Sequence, residues 1–591
     1  MKEFFKYVGA TIVGIVLLGI VMGVLTLISF IGLISAQEST TKVKDNTVMV
    51  LNLNTMVTER AESQDILSEI VGQTVGSTGL DDILTAIRKA KENDKVKGIY
   101  IEAGLLSADS YASLQAIRKA LVDFRQSGKW IIAYGDIYTK GAYYLASVAN
   151  KIYINPEGQI DWSGMVSEPV YYKDLLAKLG IKMQVAKVGS YKSMPEMYTA
   201  DRMSDANRQQ VTAYLTGIWN TIVGDVSKSR GISARQLNLY ADSLITLAPT
   251  EDYLKYKLVD GIVYADSVKG IIKKQLKIEA DKTINQLGVT AMLDVPEKKD
   301  GDDKIAIYYA YGSVVSGVAG KFAQEHTINS DVMCPDLEKL MDDDDVKAVV
   351  IRVNSGGGSA YASEQIWHQI ELLKQKKPVV VSMGGMAASG AYYISAPANW
   401  IVAEPTTLTG SIGIFGLFPD ASELLTQKLG IKFDHVKTNA HSDFGTSSRP
   451  FTAEEMGYLE RYIDRGYKLF RKRVADGRKM SVEEVEKIAQ GHVWLGTDAK
   501  RVKLVDQLGG LDDAVAKAAE LAKTKSYYTK SYPAKTSWLD QLLNETVSRN
   551  NNLDEQLKET LGAYYEPFML LRQVEHMDAI QARIPFEPNI K

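Results

Sequence analysis

A serine and a lysine far apart in the chain have the residue types of a catalytic pair. Ser389 lies among small residues in Met386-Ala-Ala-Ser-Gly-Ala-Tyr392, which leave its hydroxyl open to approach. A serine hydroxyl needs a base before it can attack a carbonyl, and the neighbouring sequence offers no His/Asp pair. Lys192, in Val188-Gly-Ser-Tyr-Lys-Ser193, can act as that base if burial lowers its pKa towards neutrality. The chemistry would be acyl transfer, with Ser389 as the nucleophile and Lys192 as the general base.

An internal repeat relates these two residues to each other. The repeated motifs are Lys140-Gly-Ala-Tyr-Tyr144 with Ser389-Gly-Ala-Tyr-Tyr393, and Leu179-Gly-Ile-Lys182 with Leu429-Gly-Ile-Lys432. This register sets Lys140 against Ser389, and it sets Ser442 against Lys192. Each copy has therefore lost the half of the pair that the other keeps. We expect one composite site where the two copies meet.

A run of glycines precedes Ser389 by one β-α unit. Asn354-Ser-Gly-Gly-Gly-Ser359 follows a predicted strand and precedes a predicted helix. Glycines permit positive φ angles and a close approach of the backbone to a ligand, and amides at a helix N-terminus attract negative charge. This suits the oxyanion of an acyl-transfer intermediate, although it also suits phosphate or a plain tight turn. The first copy has Leu105-Leu-Ser-Ala108 at the twin positions, so the fold itself does not require the glycines.

These residues resemble the signal peptide peptidase A family in its long, duplicated form. That family consists of membrane-anchored serine proteases of the Clp-protease/crotonase fold superfamily. The most specific stretches are Ser382-Met-Gly-Gly-Met-Ala-Ala-Ser-Gly390, Leu408-Thr-Gly-Ser-Ile-Gly-Ile-Phe-Gly416 and the segment around Lys192. The resemblance implies that Ser389 is the nucleophile, Lys192 the general base and Ser411 the hydroxyl that orients the lysine amine.

The resemblance also implies an oxyanion hole, substrates and an assembly. The oxyanion hole would consist of Gly357, Gly358 and Gly390. The family commonly has Pro where this chain has Gly356. Because Pro has no N–H, this position is not a backbone donor in the family, and the difference leaves the donor role of the other glycines intact. The implied substrates are cleaved signal peptides and similar apolar peptides, the implied assembly is a bowl-shaped homotetramer, and no cofactor is expected.

Two other functions are compatible with parts of this pattern. A crotonase-type acyl-CoA enzyme would share the fold and an oxyanion hole, but it does not need Ser389 with a lysine. A catalytically inactive scaffold for membrane proteins would not need to keep Ser389, Lys192 and Ser411 together. We therefore favour the protease over both alternatives.

Composition excludes several further classes. The chain has 591 residues, too many for one core, so two or more domains are expected. Its net charge of -3 does not indicate the basic surface that is typical of nucleic-acid-binding proteins. The single cysteine, Cys334, excludes an intrachain disulfide, and the scattered histidines show no metal-ligand spacing.

The N-terminus predicts a membrane anchor. The stretch from Val8 to Gln37 carries no charge and is longer than the roughly 20 residues that a spanning helix needs. A small-residue step at Ser35-Ala36 could instead mark a cleavage site, but a signal peptide's apolar region is shorter, about 7–15 residues. Because Lys2 and Lys6 precede the span, we expect a single-pass protein of the cytoplasmic (inner) membrane. Its catalytic body would then lie on the extracytoplasmic, or periplasmic, side.

The fold class that must position the pair is α/β. Strands alternate with helices in both copies, for example helices Asp81–Glu92 and Pro335–Met341, which favours parallel β-α units. We expect Ser389 to begin a helix just after a strand that ends near Met383. We predict tandem Clp-protease/crotonase-like ββα domains at 47–276, which supplies the lysine, and 303–523, which supplies the serine. These follow an anchor at 1–37 and precede a C-terminal helical extension at 524–591 without a counterpart, mostly helical from Trp538 to Tyr565.

Overall fold

The computed structural model describes residues 41–61, 77–297, 301–317, 326–535 and 580–584. The predicted anchor at 1–37 and the predicted helix from 538 to 565 lie outside these ranges. Within them, no helix is both long enough and apolar enough to cross a membrane.

The first copy of the repeat is built on a parallel sheet. Its strands are β1 (Thr47–Asn52), β2 (Met56–Thr58), β3 (Ser77–Gly79), β4 (Val96–Glu102), β5 (Ser107–Ala108), β6 (Trp130–Tyr138), β7 (Lys151–Ile160), β8 (Lys182–Lys187), β9 (Gly261–Ile262) and β10 (Asn285–Leu287). Its helices are α1 (Leu80–Glu92), α2 (Tyr111–Gln126), α3 (Lys140–Ala146), α4 (Lys173–Leu179), α5 (Glu196–Thr199), α6 (Asp205–Arg230), α7 (Ala234–Asp242), α8 (Thr250–Lys255), α9 (Ala265–Leu276) and α10 (Val289–Leu293). The sheet order is β10-β1-β4-β6-β7-β9, and β2, β3 and β5 form a small separate sheet.

The second copy repeats this plan. Its strands are β11 (Asp303–Tyr311), β12 (Ser313–Val315), β13 (Thr327–Asn329), β14 (Val346–Ser355), β15 (Gly357–Ser359), β16 (Val379–Ala388), β17 (Trp400–Ala403), β18 (Leu408–Gly410), β19 (Phe415–Asp420), β20 (Val493–Leu495), β21 (Gln507–Leu508), β22 (Tyr527–Tyr532) and β23 (Ile580–Arg583). Its helices are α11 (Ser330–Asp342), α12 (Ala360–Lys376), α13 (Gly390–Ser395), α14 (Ala453–Arg478), α15 (Val482–Ile488), α16 (Gly496–Arg501) and α17 (Leu511–Ala522). The main sheet runs β20-β18-β16-β14-β11-β22, and β17 joins it beside β16.

Both main sheets are covered on two faces. In β1, Val48 packs with Ile272 of α9, whereas its neighbour Met49 belongs to the larger core on the other face. In the second copy, α17 covers one face in the same way. Parallel strands that are buried on both faces read as continuous apolar runs, and β16 is buried along its whole length.

A third sheet joins the two copies. Its order is β13-β12-β15-β23-β19-β8, in which β8 belongs to the first copy and the other strands to the second. The junction is an antiparallel pair of β8 with β19, from Lys187 opposite Phe415 to Lys182 opposite Asp420. This pairing carries the chain segment that follows β8 onto the second copy.

The structure differs from three of the predicted boundaries. Each main sheet continues past the predicted end of its copy, since β10 pairs with β1 and β22 pairs with β11. The start of the extension at 524–591 therefore has a counterpart in the first copy. Helix α11 begins at Ser330 rather than at Pro335, because the Asn329 side chain accepts a hydrogen bond from the Asp331 N–H (2.9 Å) and caps the helix upstream of the proline.

The end of the strand before Ser389 was also misplaced. The predicted end lies near Met383, where Gly384 and Gly385 follow. The strand instead changes partners there: its first part pairs with β17, and Met386 to Ala388 pair with β18. β16 consequently runs to Ala388 and delivers Ser389 directly into the turn before α13.

Candidate active site

Ser389 occupies a strained turn between β16 and α13. Its φ and ψ angles are 59° and -115°, in a region that residues other than glycine rarely adopt. Such a conformation costs about 1–3 kcal/mol, and it persists only where the surrounding structure fixes it. Here the Ser389 N–H donates to the Gly410 carbonyl of β18 (2.8 Å). The turn is sharp, and the side chain is buried.

Lys192 reaches Ser389 from the first copy. Its Nζ atom lies 2.7 Å from Ser389 Oγ, within hydrogen-bond distance. The same nitrogen donates to Ser411 Oγ and to the Ser411 carbonyl oxygen, each at 3.1 Å. Ser411 is held in turn by its N–H, which donates to the His492 carbonyl (2.7 Å). The three side chains thus form one hydrogen-bonded group.

The surroundings of Lys192 favour its neutral form. The side chain is completely buried, and this burial lowers its pKa well below the ordinary value of a lysine. The groups that contact Nζ at hydrogen-bond distance are two hydroxyls and one carbonyl, none of which is an anion. A neutral amine has a lone pair and can accept the proton of Ser389.

The loop that carries Lys192 is fixed by contacts with the second copy. Past the β8–β19 pair, the Tyr191 N–H donates to the Gln490 carbonyl (3.0 Å). Gln210 of α6 donates to the Tyr191 carbonyl (3.1 Å), and its side-chain oxygen accepts from the Val493 N–H (3.0 Å). A β-carbon on Gly491 would lie 2.6 Å from the Lys192 backbone nitrogen, so only glycine allows this approach.

Two of the three glycines that are predicted to form the oxyanion hole lie close together beside Ser389. A β-carbon on Gly390 would lie 3.1 Å from the amide nitrogen of Gly358. The third amide, that of Gly357, donates instead to the Ser355 hydroxyl (3.1 Å). Gly357 has φ +99°, so it turns the loop in a way that a side chain would oppose. The resemblance could not separate these roles, because the direction of an N–H depends on the local turn.

A buried polar cluster that the sequence did not reveal holds the strand before the glycine loop. Arg352 Nε donates to Glu59 Oε1 of the first copy (2.6 Å). Asn354 donates to Asp109 Oδ2 (2.7 Å) and accepts from the Met386 N–H (3.1 Å). Burial, reinforced by the charge of Glu59, raises the pKa of Asp109 to about 6. The only sequence feature that pointed to this buried cluster was an arginine, Arg352, at the end of an apolar strand.

The corresponding place in the first copy holds an ion pair. Lys140, the twin of Ser389, lies with its Nζ 3.1 Å from Asp161 Oδ2. Asp161 stands at the position of Ser411 in the repeat register. Ser442, the twin of Lys192, is exposed and contacts Thr438 and Asn439. The place that corresponds to Ser389 therefore has no hydroxyl, and the place that corresponds to Lys192 has an exposed serine in the second copy.

The chain is similar to known proteases over most of its length. Residues 107–279 and 371–525 match the model of peptidase family S49, one segment in each copy, and residues 322–401 match the Clp protease model. Protease 4 of Salmonella typhi is 38% identical over 535 residues, covering 87% of this chain and 85% of that protein. Protease 4 of Haemophilus influenzae is 33% identical, with the same two coverages. Serine protease SPPA, chloroplastic, of Arabidopsis thaliana is 30% identical, covering 73% of this chain and 64% of that protein.

Proposed function

The chain belongs to peptidase family S49 and is a serine peptidase, and from this premise we propose that Ser389 and Lys192 form the dyad with which it hydrolyses peptide bonds. The observation that carries the proposal is the distance of 2.7 Å between Lys192 Nζ and Ser389 Oγ in a fully buried setting. Ser411 is the positioning residue, because it holds Nζ in place through two further contacts.

The proposed reaction is acyl transfer. Neutral Lys192 takes the proton of the Ser389 hydroxyl while the oxygen attacks the carbonyl carbon of the substrate. The amides of Gly358 and Gly390 stabilise the negative charge that develops on the carbonyl oxygen. Protonated Lys192 then gives its proton to the leaving amine, and water hydrolyses the ester with Lys192 again as base. Helix α13 is only 6 residues long, so its dipole adds little. The two amides therefore provide most of this stabilisation.

We further propose that the substrates are cleaved signal peptides and similar apolar peptides. The support is the resemblance to signal peptide peptidase A, together with the shape and lining of the groove beside Ser389. In the sheet beside Ser389, β15 and β19 flank one extended strand, β23, which shows that this place accepts an extended segment. Ile584 and Ala582 of that strand are buried in two apolar cores, so extended apolar segments fit this place better than folded or charged ones.

The uncharged stretch from Val8 to Gln37 supports a membrane location for this activity. We place the protein in the inner membrane as a single-pass protein, with the catalytic body on the periplasmic side. In cell fractionation, the full chain should remain in the membrane pellet after carbonate extraction, and a variant lacking residues 1–37 should be released. Release of the full chain into the soluble fraction would contradict the anchor.

The dyad can be tested by substitution with a matched control. Ser389→Ala and Lys192→Met should each lower kcat for an apolar peptide by at least about 10³-fold, because each removes one partner of the proton transfer. Ser442→Ala removes the exposed serine at the twin position of Lys192, and it should retain activity within about twofold, within the usual effect of a surface substitution.

Two results would contradict the dyad. One is labelling of a serine other than Ser389 by a fluorophosphonate probe. The other is normal turnover by Lys192→Met. If the wild type hydrolysed no peptide and Ser389→Ala kept the cellular role intact, the chain would instead act as a scaffold. Circular dichroism of each variant checks that loss of activity is not loss of fold.

A further inference from the structure

A cleft of about 350 Å³ opens between the two copies of the repeat. The first copy lines it with side chains of α2, α3 and α6, and the second copy lines it with the turn after β17 and the end of β21. Its volume lies at the lower end of the range of small-molecule sites, roughly 300–1,000 Å³. We call it the Glu404 cleft, and its lining includes Gln115, Val122, Asp225, Glu404 and Leu508.

Glu404 is a buried acid without a partner. Its side chain is 3% exposed, and its Oε1 atom accepts no hydrogen bond. Two cations near it have other partners: Lys119 Nζ lies 2.5 Å from Asp513 Oδ2, and Arg352 Nε lies 2.6 Å from Glu59 Oε1. Burial raises the pKa of Glu404 to about 7, although the charges of Arg352 and Lys119 lower it. A buried carboxylate in this state is costly, which points to a group that enters the cleft from outside.

The first copy shows that the fold does not need an acid at this place. By the register of the repeat, Asn155-Pro156 is the twin of Glu404-Pro405. Asn155 finds its partners near its own turn, because it accepts from the Glu157 N–H (3.0 Å) and donates to Asp136 Oδ1 (2.9 Å). Glu404 makes no such contacts, so a role in holding the turn does not explain it.

The charges that the first copy contributes to the cleft are compensated. Arg118 donates to the Ser147 hydroxyl (2.7 Å) and to the Asp225 carbonyl (3.0 Å). Asp225 Oδ2 in turn accepts from the Tyr144 hydroxyl (2.7 Å). The described residues contain no group of three acids, histidines or cysteines that could hold a metal ion. The unbalanced charge of Glu404 therefore fits an organic ammonium group.

The rest of the cleft fits an apolar side chain and a carbonyl group. Val122, Pro405 and Leu508 give it apolar walls. Gln115 accepts from the Thr406 hydroxyl with its side-chain oxygen (3.0 Å), which leaves its NH₂ group to donate to a carbonyl. An ammonium group, an apolar side chain and a carbonyl occur together in the amino-terminal residue of an apolar peptide.

We propose that the Glu404 cleft binds the amino-terminal residue of short apolar peptides, with the α-ammonium group on Glu404 and the side chain against Val122 and Leu508. Hydrolysis of an apolar peptide releases such an amine, so the ligand is a product of the reaction. This source rests on the proposed function, whereas the chemistry of the cleft does not.

Isothermal titration calorimetry with leucinamide tests the site, and the full chain carrying Ser389→Ala keeps hydrolysis out of the measurement. Leucinamide should bind saturably. N-acetylleucinamide, which lacks the charge, and glycinamide, which lacks the apolar side chain, should each bind at least about 10-fold more weakly. Absence of leucinamide binding would overturn the proposal, and equal binding of either analogue would overturn the part that the analogue tests.

Substitution of Glu404 identifies the partner of the ammonium group. Glu404→Gln keeps the size of the side chain and removes its charge, so it should weaken leucinamide binding at least about 10-fold. Glu338→Gln, at an exposed glutamate of α11, is the matched control and should bind as before. Unchanged affinity in Glu404→Gln would overturn the proposal, and circular dichroism checks that this variant is folded.

The pH dependence of binding gives a second readout. Only ionised Glu404 pairs with the ammonium group, so the affinity for leucinamide should fall about 10-fold from pH 7 to pH 5.5. Glu404→Gln should not show this fall, and equal affinity of the Glu404 protein at the two pH values would overturn the assignment. No histidine is among the described residues that line the cleft. The charged groups that face Glu404 or share its cleft are Arg352, Lys119, Asp513, Arg118 and Asp225.

Failure of this site and failure of the dyad are distinguishable. A wild type that hydrolyses peptides while its Ser389→Ala variant binds no leucinamide would overturn the cleft and leave the dyad standing. Leucinamide binding by a Ser389→Ala protein that still hydrolyses peptides like the wild type would contradict the dyad and support the cleft.

Discussion

At the scale of single residues, Lys192 serves chemistry at the expense of stability. A buried ammonium is costly unless it is paired, and the atoms that contact Nζ offer no anion. The complementary loss between the copies predicted that Ser389 and Lys192, whose side-chain atoms lie 2.7 Å apart, meet in one place. It was not enough to predict that Gly357 donates to Ser355, because this depends on a hydroxyl orientation that only the folded loop determines.

The depressed pKa of Lys192 predicts the pH dependence of activity and of stability. Peptide hydrolysis should rise with pH through the lowered pKa, because only the neutral amine accepts the Ser389 proton. Between that pKa and the higher value of an unfolded lysine, the unfolded chain binds more protons. Stability therefore rises with pH in this window.

Lys192→Met should abolish that slope and should raise the free energy of unfolding at pH 7, because a neutral side chain has no charge to desolvate. Urea denaturation at pH 7 and pH 9 measures both effects. Lys178→Met, at an exposed lysine on α4, should behave like the wild type. A flat activity profile, or a less stable Lys192→Met, would contradict the assignment of a neutral buried base.

At the scale of elements, the site depends on the loop between β8 and α5, which one copy presents to the other. The sequence predicted α1 well, since the observed helix begins at Leu80, one residue before the predicted Asp81, and ends at the predicted Glu92. The predicted end of β16 was wrong, because at Gly384 and Gly385 the strand changes its neighbour from β17 to β18 and continues. The sequence also gave no sign of β23, since a strand this short has no measurable periodicity and its partners are far away in the sequence.

Gln210 should prove to be the residue that keeps this loop in place. Gln210→Ala removes the links to the Tyr191 carbonyl and the Val493 N–H, which leaves buried groups unpaired at a cost of about 1–3 kcal/mol. A displaced amine should lower kcat about 10²-fold with a smaller change in KM.

Gln209→Ala is the matched control for this substitution. Its side chain lies on the exposed side of the same helix and contacts only the Tyr191 hydroxyl among the hydrogen bonds described (3.2 Å). It should keep wild-type kinetics. Equal kcat values for the two variants would mean that the contacts of Gln210 do not position Lys192.

At the scale of the whole molecule, the α/β architecture, the duplication and the resemblance to signal peptide peptidase A are confirmed. The repeat also indicates how chains could associate. By the register of the repeat, 165–170 is the twin of β19 and 432–437 is the twin of β8. Neither forms a strand in this structure, and Val166, Val170 and Val436 are exposed. Pairing of one with the other between chains would be head-to-tail, a kind of contact that forms a ring when the rotation between neighbours closes.

We therefore propose that these segments form the contact in the homotetramer that the resemblance implies. Val436→Asp should weaken it, because a charge would be buried at a strand edge. Leu247→Asp, at an exposed apolar residue away from both segments, should leave it intact. Sedimentation velocity distinguishes the outcomes, and a tetramer that persists in Val436→Asp at low micromolar protein would contradict this interface.

Because β8 pairs with β19 within one chain, the activity should not depend on the concentration of the protein. A protein with a single copy of the repeat would have to borrow its lysine from a neighbouring molecule, and its activity would vanish when the neighbours separate. Here the same polypeptide carries both Lys192 and Ser389, and their encounter is intramolecular. The duplicated chain should thus keep one working centre at any concentration, however few copies of it a cell contains.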